Sequence, residues 1–279
     1  MGFKKMLMDD FGKDLPIGDG FGQSVEDPIL ITTADPEVAA LTRFEVVWCI
    51  FVVKEWYWRP LGQVFVDPEN NRIEKFSVEV KYIEGDQIVT ETRKFYFDLS
   101  EVKLQDGHQL PYPYVEIGAP INAKLPWKIG WFHFSGIINN EINDPGLGYT
   151  LAYSAPGAKM TVYAYDLGIS DEIRLAPRDT AQREFVKVVN TFESLNPTAE
   201  LLQEHEGDGF FVKEFLNGDE LTVVFLAPCS GSFFKLRGTL PNSNESFLVD
   251  CMRNSILYFA GLMKRMASPN TGLSDRSVN

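Results

Sequence analysis

Cysteine and histidine are scarce in this chain of 279 residues, which contains three of each. The cysteines are odd in number, widely spaced and without a CxxC pair, a usage that suits a reducing compartment better than a disulfide framework. The histidines show no HxH or HExxH spacing, whereas a zinc site needs several ligands brought together. We therefore expect neither a metal ion nor a cofactor. The residues concerned are Cys49, Cys229, Cys251, His108, His133 and His205.

Long apolar runs are also missing. The longest, residues 46–53, has eight residues, and an α-helix needs about 20 apolar residues to cross a bilayer. Near the start, the basic pair Lys4-Lys5 is followed by only three apolar residues before Asp9-Asp10, which leaves no apolar core for a signal peptide. We expect a cytoplasmic protein with no membrane insertion.

No complete cofactor-binding motif is present. Gly18, Gly20 and Gly22 form a GxGxG run. A dinucleotide or phosphate loop needs a strand before such a run and a helix opening after it. Here a polar segment precedes the run and Asp27-Pro28 follows it, so we expect the glycines to allow a tight turn and nothing more.

Two groups of residues leave an enzymatic alternative open. Glu204, His205 and Glu206 form the densest cluster of titratable side chains, which is either a metal or acid–base site or a solvated loop before a strand. Cys229 could act as a nucleophile with a distant histidine. Its thiolate would need a positive neighbourhood or a helix N-terminus, and a strand is predicted after it. We do not expect catalysis, but an active site assembled from these distant residues stays as an alternative.

Acidic residues outnumber basic residues in both halves of the chain, and the formal net charge is −13. Residues 1–140 have 14 Lys and Arg against 21 Asp and Glu, which gives −7, and the remainder has 12 against 18, which gives −6. An evenly acidic chain is repelled by phosphate backbones and by anionic membranes. Nucleic acid is therefore not an expected partner, whereas a basic protein partner for an acidic surface stays possible.

The first half of the chain predicts a mainly-β domain. Residues 72–82 alternate apolar and polar side chains, and residues 88–97 return after the turn at Glu84-Gly85-Asp86, which predicts a hairpin. Asp35 and Pro36 signal the start of a short helix through about Arg43, and residues 44–57 then favour a strand. We assign residues 1–27 to an irregular segment, 28–105 to this domain, and the Pro-rich residues 106–127 to a connection.

The second half predicts three strands, a helix, three strands and a long C-terminal helix. The first helix is capped at Asp179 and has an apolar stripe from Phe185 to Leu195. Strands are predicted at residues 210–216, 221–226 and 233–240, and the long helix at 245–266. We assign residues 128–267 to a second domain and residues 268–279 to a flexible tail.

The order of elements from Trp131 to Met266 resembles the Mog1/PsbP-like α/β/α sandwich, with residues 148–154 and 160–166 resembling its opening strands. The resemblance implies an antiparallel sheet packed between helices. Members of that superfamily are mostly binding or adaptor proteins, including photosystem accessory subunits, a small-GTPase regulator and secretion chaperones, and they share no catalytic residues. The expected fold class is therefore α+β, with two domains each built on an antiparallel sheet and the C-terminal one an α/β/α sandwich with a long C-terminal helix.

One aromatic stretch is a candidate surface. All five tryptophans lie between residues 48 and 131. On a strand, Trp56 and Trp58 would share one face and Tyr57 the other. Trp, Tyr and Arg are enriched at binding hot spots, so we predict that Trp56, Tyr57, Trp58 and Arg59 bind a partner.

Two other interpretations of this stretch remain: the residues form core, or they form a small-ligand patch. The function that these observations favour is that of a non-catalytic protein-binding or adaptor protein of chaperone, accessory or immunity type. Its mechanism would be aromatic anchors buried in a partner, with acidic charges at the rim steering a basic one. An oligomeric structural subunit is a third possibility.

Overall fold

A computed structural model describes residues 3–66, 72–105, 108–207, 209–241 and 246–267. The chain divides into two compact units, Met1–Val115 and Glu116–Asn279. Both contain a mainly antiparallel sheet with helices packed on it, so the α+β class is confirmed. In the described part of the chain, no helix is both long enough and apolar enough to span a bilayer.

The first unit contains a four-stranded sheet in the order β1-β4-β3-β2. The predicted hairpin is its centre: β3 and β4 pair from Ile73↔Asp98 to Glu84↔Gln87, and the alternating side chains of β3 bury one face. The strand β1 pairs with β4 in parallel, and the other pairs are antiparallel. The elements are α1 (Phe3–Phe11), β1 (Ile29–Leu30), α2 (Pro36–Val52), β2 (Tyr57–Phe65), β3 (Ile73–Glu84) and β4 (Gln87–Asp98).

Two predictions for this unit were wrong. Residues 1–27 contain the helix α1, which buries Phe3 and Leu7; these two residues lie four positions apart, on one helical face. The helix α2 starts as predicted, with Asp35 accepting from the backbone N–H of Glu37 and Val38, but it continues to Val52 through the residues predicted as strand. Burial on several faces of α2 outweighs the β propensity of its Val, Ile and Phe residues.

The second unit is built on an eight-stranded antiparallel sheet in the order β11-β12-β13-β14-β10-β9-β8-β7. Two short strands, β5 (Tyr114–Ile117) and β6 (Ala123–Pro126), pair with each other in the region predicted as connection. The remaining elements are β7 (Lys128–Ile129), β8 (Phe132–Asn139), β9 (Tyr149–Ala155), β10 (Ala158–Tyr165), α3 (Ser170–Leu175), α4 (Pro177–Leu195), β11 (Glu200–Gly207), β12 (Phe210–Asn217), β13 (Glu220–Cys229), β14 (Ser232–Pro241) and α5 (Ser246–Ala267).

Helices cover both faces of this sheet, as the resemblance implied. On β13, Val224 and Leu226 pack in one cluster with Phe185 and Phe192 of α4. The intervening Phe225 points to the other face, where its ring lies 5.5 Å from that of Phe259 in α5. Successive residues of a strand point to opposite faces, so α4 and α5 sandwich the sheet.

Two features of this unit differ from what the sequence predicts, and some predictions fall on residues that the structure does not describe. The helix α4 starts at Pro177 without a side-chain cap, so Asp179 lies in its first turn. The strand β11 forms where a solvated loop was one interpretation of the sequence, because pairing with β12 extends the sheet there. The predicted tail 268–279 and residue 245 of the predicted helix lie outside the described residues.

Candidate functional site

The predicted aromatic site divides into a buried part and an accessible part. Tyr57 and Trp58 are 8% and 3% exposed, and the Trp58 ring packs 5.7 Å from Phe44 of α2. Trp56 and Trp58 both contact Phe51, at ring distances of 6.0 and 6.4 Å, so they share a face as predicted. Tyr57 and Trp58 therefore belong to the core.

The accessible part consists of Trp56 and Arg59. The Trp56 ring is half-buried and stacks on Tyr82 at 3.9 Å with an interplanar angle of 8°. The Lys54 ammonium lies 4.6 Å from the Trp56 ring centre, and Arg59 Nε donates to Glu79 Oε1 at 2.9 Å. The accessible groups of this stretch are therefore the Trp56 ring and the Arg59 guanidinium group. Their role in binding stays a prediction.

The residues considered for an enzyme do not converge. Glu204, His205 and Glu206 are exposed on β11, whereas Cys229 is buried at the end of β13. The strand β12 lies between β11 and β13. Burial raises the pKa of the Cys229 thiol, which keeps it protonated and weakly nucleophilic. Among the described residues, no group of three or more His, Cys, Asp or Glu side chains is placed to hold a metal ion.

The sequence cluster instead marks an edge of the sheet. The strand β11 is the terminal strand, and β12 is its single partner among the described strands. From Glu200 to Glu206 every side chain is exposed, including the apolar Leu201 and Leu202. An edge strand presents unpaired backbone N–H and C=O groups, which another extended chain can pair with.

A groove of about 160 Å³ lies beside this edge, between α4 and the strands β11 and β12. Its apolar part comes from Phe185, Val186 and Val189 of α4 and from Phe211 of β12. The Phe185 and Phe211 rings stack at 5.5 Å with an interplanar angle of 25°, which joins helix and sheet beneath the groove. An apolar side chain placed there would be removed from water on both sides.

Carboxylates dominate the rim of the groove. Glu193 of α4 and Glu204 and Glu206 of β11 line it together with one cation, Lys213. Lys213 forms an ion pair with Glu204 at 3.4 Å, and Arg178, outside the lining, forms one with Glu206. Exposed pairs of this kind contribute little energy and exchange readily, so the rim favours cationic over anionic ligands.

The sequence predicts several residues of this groove but not that they lie close together. The apolar stripe of α4 was predicted from Phe185, Val188, Val189 and Phe192, and the Glu204-His205-Glu206 cluster was singled out as possible chemistry. The missing step was the assignment of β11 as a strand, which places Glu204 and Glu206 opposite Lys213 and Phe211. No alternation in the sequence marks β11 as a strand, because Leu201 and Leu202 are adjacent.

Comparisons with known proteins add a weak likeness of fold. No protein-family model matches the sequence, and no curated protein matches it. Among solved structures, the chain is similar to a mutant of the protein Mog1 with 11% identity and a TM-score of 0.29, over 55% of this chain and 93% of that chain. A likeness at this TM-score carries no argument about fold or function.

Proposed function

We propose that this chain is a non-catalytic protein-binding protein that holds an extended segment of a partner against the edge strand β11. The observation that carries the proposal is an exposed eight-residue edge strand beside an apolar groove. Adding a strand at a sheet edge gives affinity through backbone hydrogen bonds, and pockets for alternate side chains give specificity. This mode of binding suits an adaptor, chaperone, accessory or immunity-type protein.

The groove limits what the segment contains. Because successive side chains of a strand alternate in direction, every second residue of an added strand would face α4. An apolar residue there would contact Val186, Val189 and Phe211. Lys or Arg at neighbouring positions would approach Glu193, Glu204 and Glu206, so we expect an extended segment that combines an apolar anchor with cationic residues.

The predicted aromatic stretch supplies a second surface for the same kind of partner. Trp56 and Arg59 are its accessible members, and residues of these types are enriched at binding hot spots. A small-ligand patch at Trp56 is the other proposal for this stretch, but it has less support because Tyr82 stacks on the ring and Lys54 lies 4.6 Å from its centre. Separate substitutions in the two units distinguish these surfaces from the groove.

The test uses the full chain and a displayed library of random twelve-residue peptides. The variant Val186→Lys places a cation in the groove at a position that is 52% exposed, so folding is expected to be unaffected. The matched control Leu175→Lys makes the same kind of change on α3, at a position 87% exposed. Peptides retained by the wild type are then titrated against all three proteins, and amide hydrogen exchange is measured across residues 200–207.

The proposal expects enriched peptides with an apolar residue flanked by Lys or Arg. Their affinity should fall at least about tenfold in Val186→Lys, as loss of an apolar contact of about 1.4 kcal/mol would give, and stay unchanged in Leu175→Lys. Exchange at the amides of β11 should slow on binding. Peptides that bind both variants as well as the wild type, or that leave the exchange of β11 unchanged, would overturn strand addition at this groove.

A further inference from the structure

Four adjacent strands of the second unit contain no acidic residue, although the chain has 39 Asp and Glu in all. These strands are β8, β9, β10 and β14. They contain Lys159, Lys235 and Arg237. The charged side chains of these four strands are therefore all cationic, in a protein whose net charge is −13.

The register of the sheet places these three cations on one face. Lys235 lies opposite Tyr163, Arg237 opposite Thr161, and Lys159 opposite Thr239. Residues directly opposite each other share a face, as do residues two apart on one strand. Each cation is therefore paired across the strands with a residue that carries a hydroxyl group. We call Lys159, Lys235, Arg237, Tyr163, Thr161 and Thr239 the cationic face.

The cationic face is on the α4 side of the sheet. Gly238 faces α5, because a Cβ atom built on it would lie 2.5 Å from Met252 Sδ, so its neighbours Arg237 and Thr239 face the other way. The Arg237 guanidinium lies 5.5 Å from the ring of Phe192 in α4. Lys159 and Arg237 are exposed, and Lys235 is half-buried.

These cations lack the ion pairs that would neutralise them. Within the described residues, no carboxylate lies at ion-pair distance from Lys159, Lys235 or Arg237. Glu184 acts on Lys235 electrostatically, but its carboxylate accepts from the Tyr165 hydroxyl at 3.0 Å and pairs with Lys187 at 3.8 Å.

The charge of Lys235 is disfavoured in this setting. Burial is the largest cause and lowers the pKa of Lys235; Glu184 opposes that shift, and Arg237, whose effect is smaller than that of Glu184, adds to it. A bound anion would offset the cost of holding the Lys235 charge in a partly buried position. This gives an anionic ligand a favourable interaction that the unliganded face lacks.

We propose that the cationic face binds a phosphorylated segment of a partner protein, with the phosphate group held by Arg237, Lys159 and the hydroxyl groups between them. A phosphate monoester has three acceptor oxygens and a charge approaching −2, so it can accept from several donors at once, whereas a carboxylate has two oxygens and a single charge. The face is open, whereas small molecules generally bind in concave pockets, so an extended segment fits better than a free metabolite. The net charge of −13 disfavours a long polyanion such as a nucleic acid.

The test compares immobilised degenerate peptides that differ only at a central phosphothreonine, threonine or glutamate. Binding of the full chain is measured for the wild type, Arg237→Gln and Lys159→Gln. The control Arg265→Gln removes the same charge from an exposed position on α5, which covers the other face of the sheet. Inorganic phosphate and oligo(dT) are titrated in parallel, and thermal melting checks that every variant is folded.

The proposal expects the phosphothreonine peptides to bind at least about tenfold more tightly than the threonine peptides, as a charge-assisted hydrogen bond would give. That difference should be lost in Arg237→Gln, reduced in Lys159→Gln and kept in Arg265→Gln. Equal binding of the three peptide sets would overturn it. Inorganic phosphate binding as tightly as the peptides would make the face a small-anion site, and tighter binding of oligo(dT) would make it a nucleic-acid surface; either result contradicts the proposal. The groove variant Val186→Lys should bind phosphothreonine peptides like the wild type, so the two sites succeed or fail separately.

Discussion

Arg43 Nη1 donates to Glu74 Oε2 at 2.6 Å, and the two side chains are 0% and 1% exposed. Gln63 Oε1 accepts from the same nitrogen, and the ring of Phe76 lies 4.4 Å from the guanidinium. Arg43 Nε, Arg43 Nη2 and Glu74 Oε1 have no hydrogen-bond partner among the described residues. The pair thus joins α2 to β3 with its hydrogen-bonding capacity only partly used, and desolvation offsets much of its attraction.

Removal of one member of this pair should destabilise the first unit strongly. Glu74→Leu leaves the Arg43 charge buried without a counter-ion, so we expect the free energy of unfolding to fall by about 3–5 kcal/mol. The double variant Arg43→Met, Glu74→Leu removes both charges and should lose less than either single variant. Urea unfolding of the wild type, Glu74→Leu, Arg43→Met and the double variant measures this, and additive losses would show that the two charges do not interact.

Lys128 makes stability depend on pH in a predictable direction. It is buried, its Nζ donates to the Trp131 carbonyl, and burial lowers its pKa from 10.5 to about 7. Between those values the unfolded chain binds more protons than the folded one, so stability rises with pH, by at most about 1.4 kcal/mol per pH unit. Below the lower value the penalty is constant.

Lys128→Met should remove that slope and raise the free energy of unfolding near pH 6.5. Urea unfolding at pH 6.5, 8.5 and 10 measures it, with the exposed Lys159→Met as a control that should keep the slope. An unchanged slope in Lys128→Met would mean that this ammonium group is hydrated in solution.

The two tryptophans of the aromatic stretch should behave differently. Trp58→Ala creates a cavity against Phe44, and we expect a loss of about 3–5 kcal/mol in the free energy of unfolding. Trp56→Ala removes a half-exposed ring that stacks on Tyr82, which should cost about 1 kcal/mol. Calorimetric melting compares them. If Trp56→Ala destabilises the protein as much as Trp58→Ala, Trp56 belongs to the core and is not a binding residue.

Local patterns predicted those elements whose burial follows from their own sequence. In β3 of the hairpin, apolar and polar side chains alternate from Phe76 to Tyr82. Asp35 supplies the N-cap of α2. By contrast, α2 continues past Arg43 because its neighbours bury it, which no window of the sequence reveals. The strand β11 contains the adjacent leucines Leu201 and Leu202 at an irregularity in its register, so alternation is broken where it was needed. The groove depends on that strand, and the cationic face depends on pairing between β10 and β14, so neither could be assembled from local patterns.

Cysteine labelling tests the enzymatic alternative directly. Cys49, Cys229 and Cys251 are buried, and burial raises the pKa of Cys49 to about 12 and that of Cys229 above its ordinary value. A catalytic thiol is a thiolate in an accessible, electropositive setting. We therefore expect all three to react with an aromatic disulfide reagent at pH 7 far more slowly than the same chain unfolded in urea. A thiol that reacts within seconds in the folded protein, and whose rate falls in Cys229→Ser but not in Cys49→Ser, would instead identify Cys229 as a nucleophile and favour an enzyme over a binding protein.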